Sequence, residues 1–149
     1  LVDTAAIGED DNALVIAPAT GYLAAVAGRL AGSVFALEQD GELAQRMSAL
    51  VTDMALDNIV IVEGPHRDGW SKESPYDVVL IDGCVPEVPD ALCDQLAEGG
   101  RLVAVIGEPG KVGRLTLYGK RNGVVSHRTL ADAMVQPAPG FERAAGFVF

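Results

Sequence analysis

Apolar residues fall in short uninterrupted runs at residues 13–17, 34–37, 59–62, 78–81 and 102–106, rich in Val, Ile and Leu. None alternates with polar residues, which predicts strands covered on both faces, as in a parallel sheet between helices. Helical spacing occupies the intervals 22–30, 41–54 and 88–96. In the second interval Leu43, Met47, Leu50, Val51 and Met54 fall on one face. Pro89 or Asp90 opens the third, and Gly99-Gly100 closes it. Strand and helix in repeated alternation predict an α/β, doubly wound, mostly parallel sheet with right-handed crossovers and helices on both faces. Beyond the fifth run the pattern changes. Residues 114–120 alternate, and Asn122-Gly123 is a tight-turn pair ahead of residues 124–130, so the chain continues as an antiparallel C-terminal hairpin. Phe147-Val148-Phe149 offers one further short edge strand.

The length of 149 residues, 49% of them hydrophobic, suits a single domain over residues 1–149, because a chain of about 150 residues buries roughly 70% of its unfolded surface. Its expected parts are a remnant of an N-terminal segment at 1–11, a parallel core at 12–110, and the hairpin and edge at 111–149. No apolar run reaches the roughly 18 residues a membrane helix needs, and residues 1–11 lack the basic start and apolar middle of a secretion signal. The chain opens on Leu1, so a processed or partial chain is expected. Cys84 and Cys93 are too few for a disulfide scaffold and fit a reducing, cytoplasmic setting.

Charge adds a second pattern. The net charge is -10, which disfavours nucleic acid as a partner. Residues 1–66 hold ten acids against Arg29 and Arg46, whereas residues 110–131 hold Lys111, Arg114, Lys120, Arg121 and Arg128 and no acid. The basic stretch has strand-like spacing and reads as a solvated hairpin face.

Ligands of open parallel sheets bind beyond the carboxyl ends of the strands, near the point where strand order reverses. The segments to weigh are therefore Ala17-Pro18-Ala19-Thr20-Gly21-Tyr22, Glu38-Gln39-Asp40, Glu63-Gly64-Pro65-His66 and Asp82-Gly83-Cys84. An acid at the tip of the second strand can accept hydrogen bonds from both ribose hydroxyls of a nucleoside, and Glu38 stands there; the alternative is a solvated strand-end carboxylate. A dinucleotide site needs GxGxxG so that backbone approaches a pyrophosphate. Its two leading glycines are absent, which disfavours a nicotinamide-dependent reductase. His66 and His127 have no acidic or Cys companions at metal spacing, so no metal site is expected. Cys84 reads as a small buried apolar residue. Lys111 lies among glycines, but no Gly-Lys-Ser/Thr triplet of a phosphate loop follows. Residues 77–82 are similar to a response-regulator strand, whose paired acids at the end of the first strand are missing.

The stretch Pro86-Glu87-Val88-Pro89-Asp90-Ala91-Leu92-Cys93-Asp94-Gln95-Leu96-Ala97-Glu98-Gly99-Gly100-Arg101-Leu102-Val103 carries a proline pair, a Leu, Gln-Leu and a double glycine leading into the fifth strand. Together with Gly21-Tyr22, Asp57-Asn58-Ile59, Gly69-Trp70 and Gly107-Glu108-Pro109-Gly110, it resembles the protein-L-isoaspartate O-methyltransferase family from residue 12 to about residue 149. The resemblance implies a Rossmann-like methyltransferase sheet, S-adenosylmethionine as cofactor, and methyl esterification of isoaspartyl carboxylates in a protein or peptide substrate, a protein-repair reaction. It places Ala17, Ala19, Gly21, Tyr22, Glu38, Gln39, Gly64, Pro65, His66 and Asp82 around the cofactor. No catalytic acid or base is implied, because a carboxylate is already a nucleophile and in-line transfer needs chiefly alignment and exclusion of water.

Departures from the family pattern sharpen the expectation. The family's acid and two of its three glycines after the first strand correspond to Val15, Ala17 and Ala19, and an Asp after the third strand corresponds to Pro65. The two alanine methyls are expected to push into the path of the methionine part. Each lost charged contact is worth about 1.5–3 kcal/mol, so the cofactor is expected to bind more weakly by orders of magnitude. An alternative follows: a non-catalytic binding or regulatory module that kept the fold and lost the cofactor. With only residues 1–11 ahead of the core, the acceptor-shaping segment is expected to be missing, and apolar groups left bare beside the first strand would then drive homodimerisation.

Overall fold

The computed structural model describes residues 1–142. Seven strands form among them: β1 (Asn12–Ile16), β2 (Ser33–Glu38), β3 (Ile59–Glu63), β4 (Tyr76–Val85), β5 (Leu96–Ile106), β6 (Gly113–Arg121) and β7 (Val124–Ala133). They join one sheet in the order β3-β2-β1-β4-β5-β6-β7. The first five pair in parallel, and β5, β6 and β7 pair antiparallel. Helices α1 (Val2–Ala5), α2 (Tyr22–Leu30), α3 (Gly41–Asp53) and α4 (Asp90–Asp94) accompany the sheet, with single 3-10 turns at His66–Asp68 and Ser71–Glu73. The expected edge strand at residues 147–149 lies outside the described residues.

The uninterrupted apolar runs are strands with two buried faces. In β1, Ala13 and Val15 pack with Ala5, Ala24, Ala27 and Val51 from α1, α2 and α3. Leu14 and Ile16 point the other way, into a cluster holding Leu92 of α4, Ala138 and Phe141. Successive β1 side chains therefore serve different clusters, as a strand repeat of two requires. Ala13 and Val15 are fully buried. The helix side of the first strand is thus covered by α1, α2 and α3.

Short motifs explain the element ends. The Asp40 carboxylate caps α3 by accepting from the N–H groups of Glu42 (2.9 Å) and Leu43 (3.2 Å). Asn58 closes α2, its amide donating to the carbonyls of Gly28 (2.7 Å) and Ala31 (3.1 Å). Gly100 lies where an added Cβ would come within 2.9 Å of the Tyr76 carbonyl oxygen, and Gly99 adopts φ 79°. Gly100 is needed by the close approach of backbone at the β5–β4 pairing and Gly99 by its left-handed φ, and neither ends a helix.

Two elements differ from the sequence reading. The helix expected at 88–96 is the single turn Asp90–Asp94, because Gln95 is already spent: its carbonyl accepts from Tyr76 N–H at 2.8 Å, and β5 starts at Leu96. Strand β4 runs on through Asp82 and Cys84, which were expected in a turn. The chain stays extended there because residues 136–138 pair with it. Cys84 N–H donates to Gln136 O (2.8 Å), and Ala138 N–H donates to Cys84 O (2.9 Å). At the opposite end of the strands, Arg101 ties α1 to the sheet through the carbonyls of Ala5 (2.5 Å) and Ala6 (2.7 Å) and the carboxylate of Asp11 (2.7 Å). No helix among the described residues is long and apolar enough to cross a membrane.

Candidate functional site

Strand order reverses between β1 and β4, so the cleft expected of such a sheet opens outside the carboxyl ends of these two strands. The turn leaving β1 forms one wall. Ala17 sits at φ 60°, a left-handed conformation in which an alanine is about 1 kcal/mol worse than glycine. Gly21, at φ 83°, turns the chain into α2, and a Cβ there would stand 3.1 Å from Leu50 and 3.3 Å from Met47. That turn therefore keeps its glycine at the position where packing and φ both demand one.

Between this turn and β4 lies a cavity of about 640 Å³, with Ala17, Ala19, Asp82, Gly83, Lys111 and Gln136 among its lining residues. Ala17 and Ala19 are thus part of the wall of this space. Asp82 faces the cavity from β4 and is half-buried; burial raises its carboxyl above the ordinary range. Lys111 pairs with Glu108 at 2.9 Å on an exposed turn. A second cavity of about 390 Å³ lies on the other side of residues 137–138, bounded by Cys84, Pro86, Glu108 and Phe141. Cys84 is buried, as the sequence suggested, and burial pushes its thiol up.

The other end of the cleft, at the tips of β2 and β3, is differently built. Glu38 ends β2 but is only 2% exposed, so it is not the solvated strand-end carboxylate considered from sequence. Its Oε1 accepts from Asp40 N–H (3.1 Å) and lies 3.5 Å from His66 Nε2. The His66 ring is fully buried. Its Nε2 accepts from Gln39 N–H (3.1 Å), which leaves Nδ1–H to donate to the carbonyl of Pro139 at 2.6 Å. Phe141 stacks on the same ring, with centroids 6.2 Å apart and planes 15° from parallel. Segments after β2, after β3 and after β7 thus meet on one imidazole.

The structure gathers Ala17, Ala19 and Asp82 around the larger cavity and Glu38, Gln39 and His66 around the buried imidazole. Gly64 packs near Leu37 and Trp70, and Pro65 is exposed beside it. Tyr22 is 75% exposed at the start of α2, and Val15 is core. Sequence reasoning missed Pro139 and Phe141. Prolines 137 and 139 read as turn punctuation; the available signal was an apolar Ala138 and Phe141 between them and just beyond. Among the described residues no group of three or more His, Cys, Asp or Glu could hold a metal ion. His127 instead stacks on Tyr118 with centroids 5.0 Å apart.

A parallel sheet reversing between β1 and β4, a carboxylate at the tip of β2 and a closing antiparallel hairpin define the class: a methyltransferase-type, nucleoside-cofactor α/β fold. The profile of the protein-L-isoaspartate(D-aspartate) O-methyltransferase (PCMT) family matches residues 1–141. A protein-L-isoaspartate O-methyltransferase of Koribacter versatilis is 34% identical over 140 residues, covering 94% of this chain and 63% of that protein. One from Brucella anthropi is 32% identical over 115 residues, covering 77% of this chain and 53% of that protein. A solved protein-L-isoaspartate O-methyltransferase superposes with TM-score 0.85 at 24% identity, covering 94% of this chain and 46% of that one. A Plasmodium falciparum chain described as a beta-aspartate methyltransferase in complex with S-adenosyl-L-homocysteine gives TM-score 0.72 at 21% identity, over 89% of this chain and 67% of that one. At these identities the two structures speak for the fold. This chain belongs to the protein-L-isoaspartate O-methyltransferase family, and it spans 63% and 53% of the two curated relatives.

Proposed function

We propose that the chain, read as one methyltransferase-like domain, is the cofactor-binding part of an S-adenosylmethionine-dependent protein-L-isoaspartate O-methyltransferase. Its acceptor would be an isoaspartyl carboxylate in a protein or peptide. The observation that carries this reading is the family match over residues 1–141 on a sheet that keeps Glu38 at the tip of β2. The same match favours the enzyme over a non-catalytic module.

The residues suit the cofactor in part. Glu38 offers the carboxylate a ribose needs, and the cavity of about 640 Å³ beside Ala17, Ala19 and Asp82 offers room at the other end of the cleft. Gln39, Gly64, Pro65 and His66 would flank the base, and the turn through Gly21 and Tyr22 would bound the cleft. Beside Glu38, however, space is taken by His66, on which Pro139 and Phe141 lie. When bound, S-adenosylmethionine supplies an electrophilic methyl group. The work left to this chain is to bind, orient and exclude water.

Two free cysteines fit a cytoplasmic protein, and the net charge of -10 disfavours a nucleic-acid partner. Homodimerisation finds no support beside β1. Titration of the full chain with S-adenosyl-L-homocysteine in a calorimeter tests the reading, together with methyl-ester formation on an isoaspartyl peptide against its aspartyl counterpart. Loss of charge-assisted contacts predicts that Glu38→Ala weakens binding by at least about tenfold. Binding left unchanged in a variant that melts like the parent would remove Glu38 from the site.

A further inference from the structure

After β7 the chain returns over the cleft, and residues 134–142 cross the carboxyl ends of β4 and β2. The crossing is tied at two places. At β4 the backbone of Cys84 holds Gln136 and Ala138, at 2.8 and 2.9 Å. At β2 and β3 the carbonyl of Pro139 meets His66 Nδ1 at 2.6 Å, Gly140 turns at φ 87°, and Phe141 is fully buried against the imidazole. Gly140 packs so closely on the Gln39 side chain that a Cβ would collide with its Oε1.

The tie is light. Of residues 134–142 only Ala138 and Phe141 are buried, and Met134, Val135, Gln136, Pro137, Pro139 and Glu142 are exposed. What the tie covers is specific. The Gln39 N–H and the Glu38 carboxylate, polar groups that a nucleoside would use, face the His66 ring, and a flat aromatic ring lies parallel to that imidazole. Met134 to Pro137 and Pro139 of the segment line the open cavity beside Ala17 and Asp82, while Pro139 and Phe141 lie on the His66 ring against which Glu38 is buried.

We infer that residues 134–142 form an intramolecular strap whose Phe141–His66 stack occupies the nucleoside end of the cleft, so that cofactor and strap compete for it. This rests on the methyltransferase reading and adds to it how the site is regulated. The cofactor binds the chain with the strap lifted, and its apparent affinity is the intrinsic one reduced by the fraction of molecules in that state. Burial of a Phe side chain corresponds to roughly a ten- to hundredfold bias in such an equilibrium. The strap therefore sets the cofactor concentration at which the site fills.

The test compares S-adenosyl-L-homocysteine binding by calorimetry to the wild-type chain and to Phe141→Ala, alongside hydrogen exchange of the wild-type chain with and without the ligand. The expected result is at least tenfold tighter binding to Phe141→Ala. In the wild type, ligand should speed exchange at the amides of Ala138, Gly140 and Phe141 while slowing it at Gln39. If Phe141→Ala does not fold, exchange in the wild type decides alone. Binding with strap amides unchanged or slowed overturns the strap and leaves the methyltransferase reading standing. Absence of binding to both folded chains overturns that reading and the strap with it.

Discussion

Replacing Gln95 by Ala should loosen the segment that carries His66. The Gln95 side chain is 7% exposed; its Oε1 accepts from Trp70 N–H at 2.9 Å, and its Nε2 donates to Asp68 O at 2.8 Å. Gly69 between them sits at φ 62°, where a Cβ would lie 2.5 Å from Gln95 Oε1, so the carboxamide fills its niche completely. Two hydrogen bonds at about 1 kcal/mol each, plus a partly unsatisfied Trp70 N–H, give a loss of about 2–3 kcal/mol. For a chain of this length that is a fall in Tm of roughly 5–10 °C. Urea unfolding should be followed by the fluorescence of Trp70, the sole tryptophan, and by far-ultraviolet circular dichroism. Gln95→Leu, of similar volume, isolates the hydrogen bonds from the packing and should lose nearly as much as Gln95→Ala. A change under about 0.5 kcal/mol in both variants would mean that water replaces the carboxamide, and the assignment of Gln95 as the clamp of this segment would be wrong.

Asn58 gives a graded series. Asn58→Ala should cost about 1–3 kcal/mol by removing two donors from the carbonyls that end α2. Asn58→Asp should cost more, since it sets a negative charge against the helix C-terminus; a less damaging Asp would contradict the capping role. Asp82 predicts a pH effect. Burial raises its folded-state pKa, so the folded chain holds this proton more tightly than the unfolded one, and stability falls as pH rises from the unfolded value through the folded one. Asp82→Asn should therefore be more stable than the parent at pH 7, with the gap closing below the ordinary carboxylate range. Denaturant midpoints at pH 3 and pH 7 measure it, and a gap that grows on acidification would reverse the sign of the argument.

The parallel core was readable because its determinants are local. Runs such as residues 13–17 and 78–81 are apolar on both faces, and a period of two forces them into a covered sheet. Asn122-Gly123 marked the hairpin turn for the same reason. Where the sequence misled, a distant segment decided the conformation. Residues 88–96 have helical spacing, but Tyr76 N–H captures the Gln95 carbonyl across the strand gap. Asp82 and Cys84 look like turn residues until Gln136 and Ala138 arrive to pair with them. In the cleft, Glu38 and Ala17 could be placed from their positions after strands. The filling of the Glu38 end could not, because His66 and Pro139 are 73 residues apart, and nothing in the local chemistry of either names the other.

The strand order also turns the uneven charge of the chain into a property of the whole molecule. Acid-rich residues 1–66 supply β1, β2 and β3 at one side of the sheet, while Arg114, Arg121 and Arg128 lie in β6 and β7 at the other. The folded protein is therefore an electric dipole lying in the plane of its sheet, with its positive pole at the β6–β7 hairpin, where β6 supplies Arg114, Lys120 and Arg121. An approaching anionic molecule would be turned to meet the hairpin first.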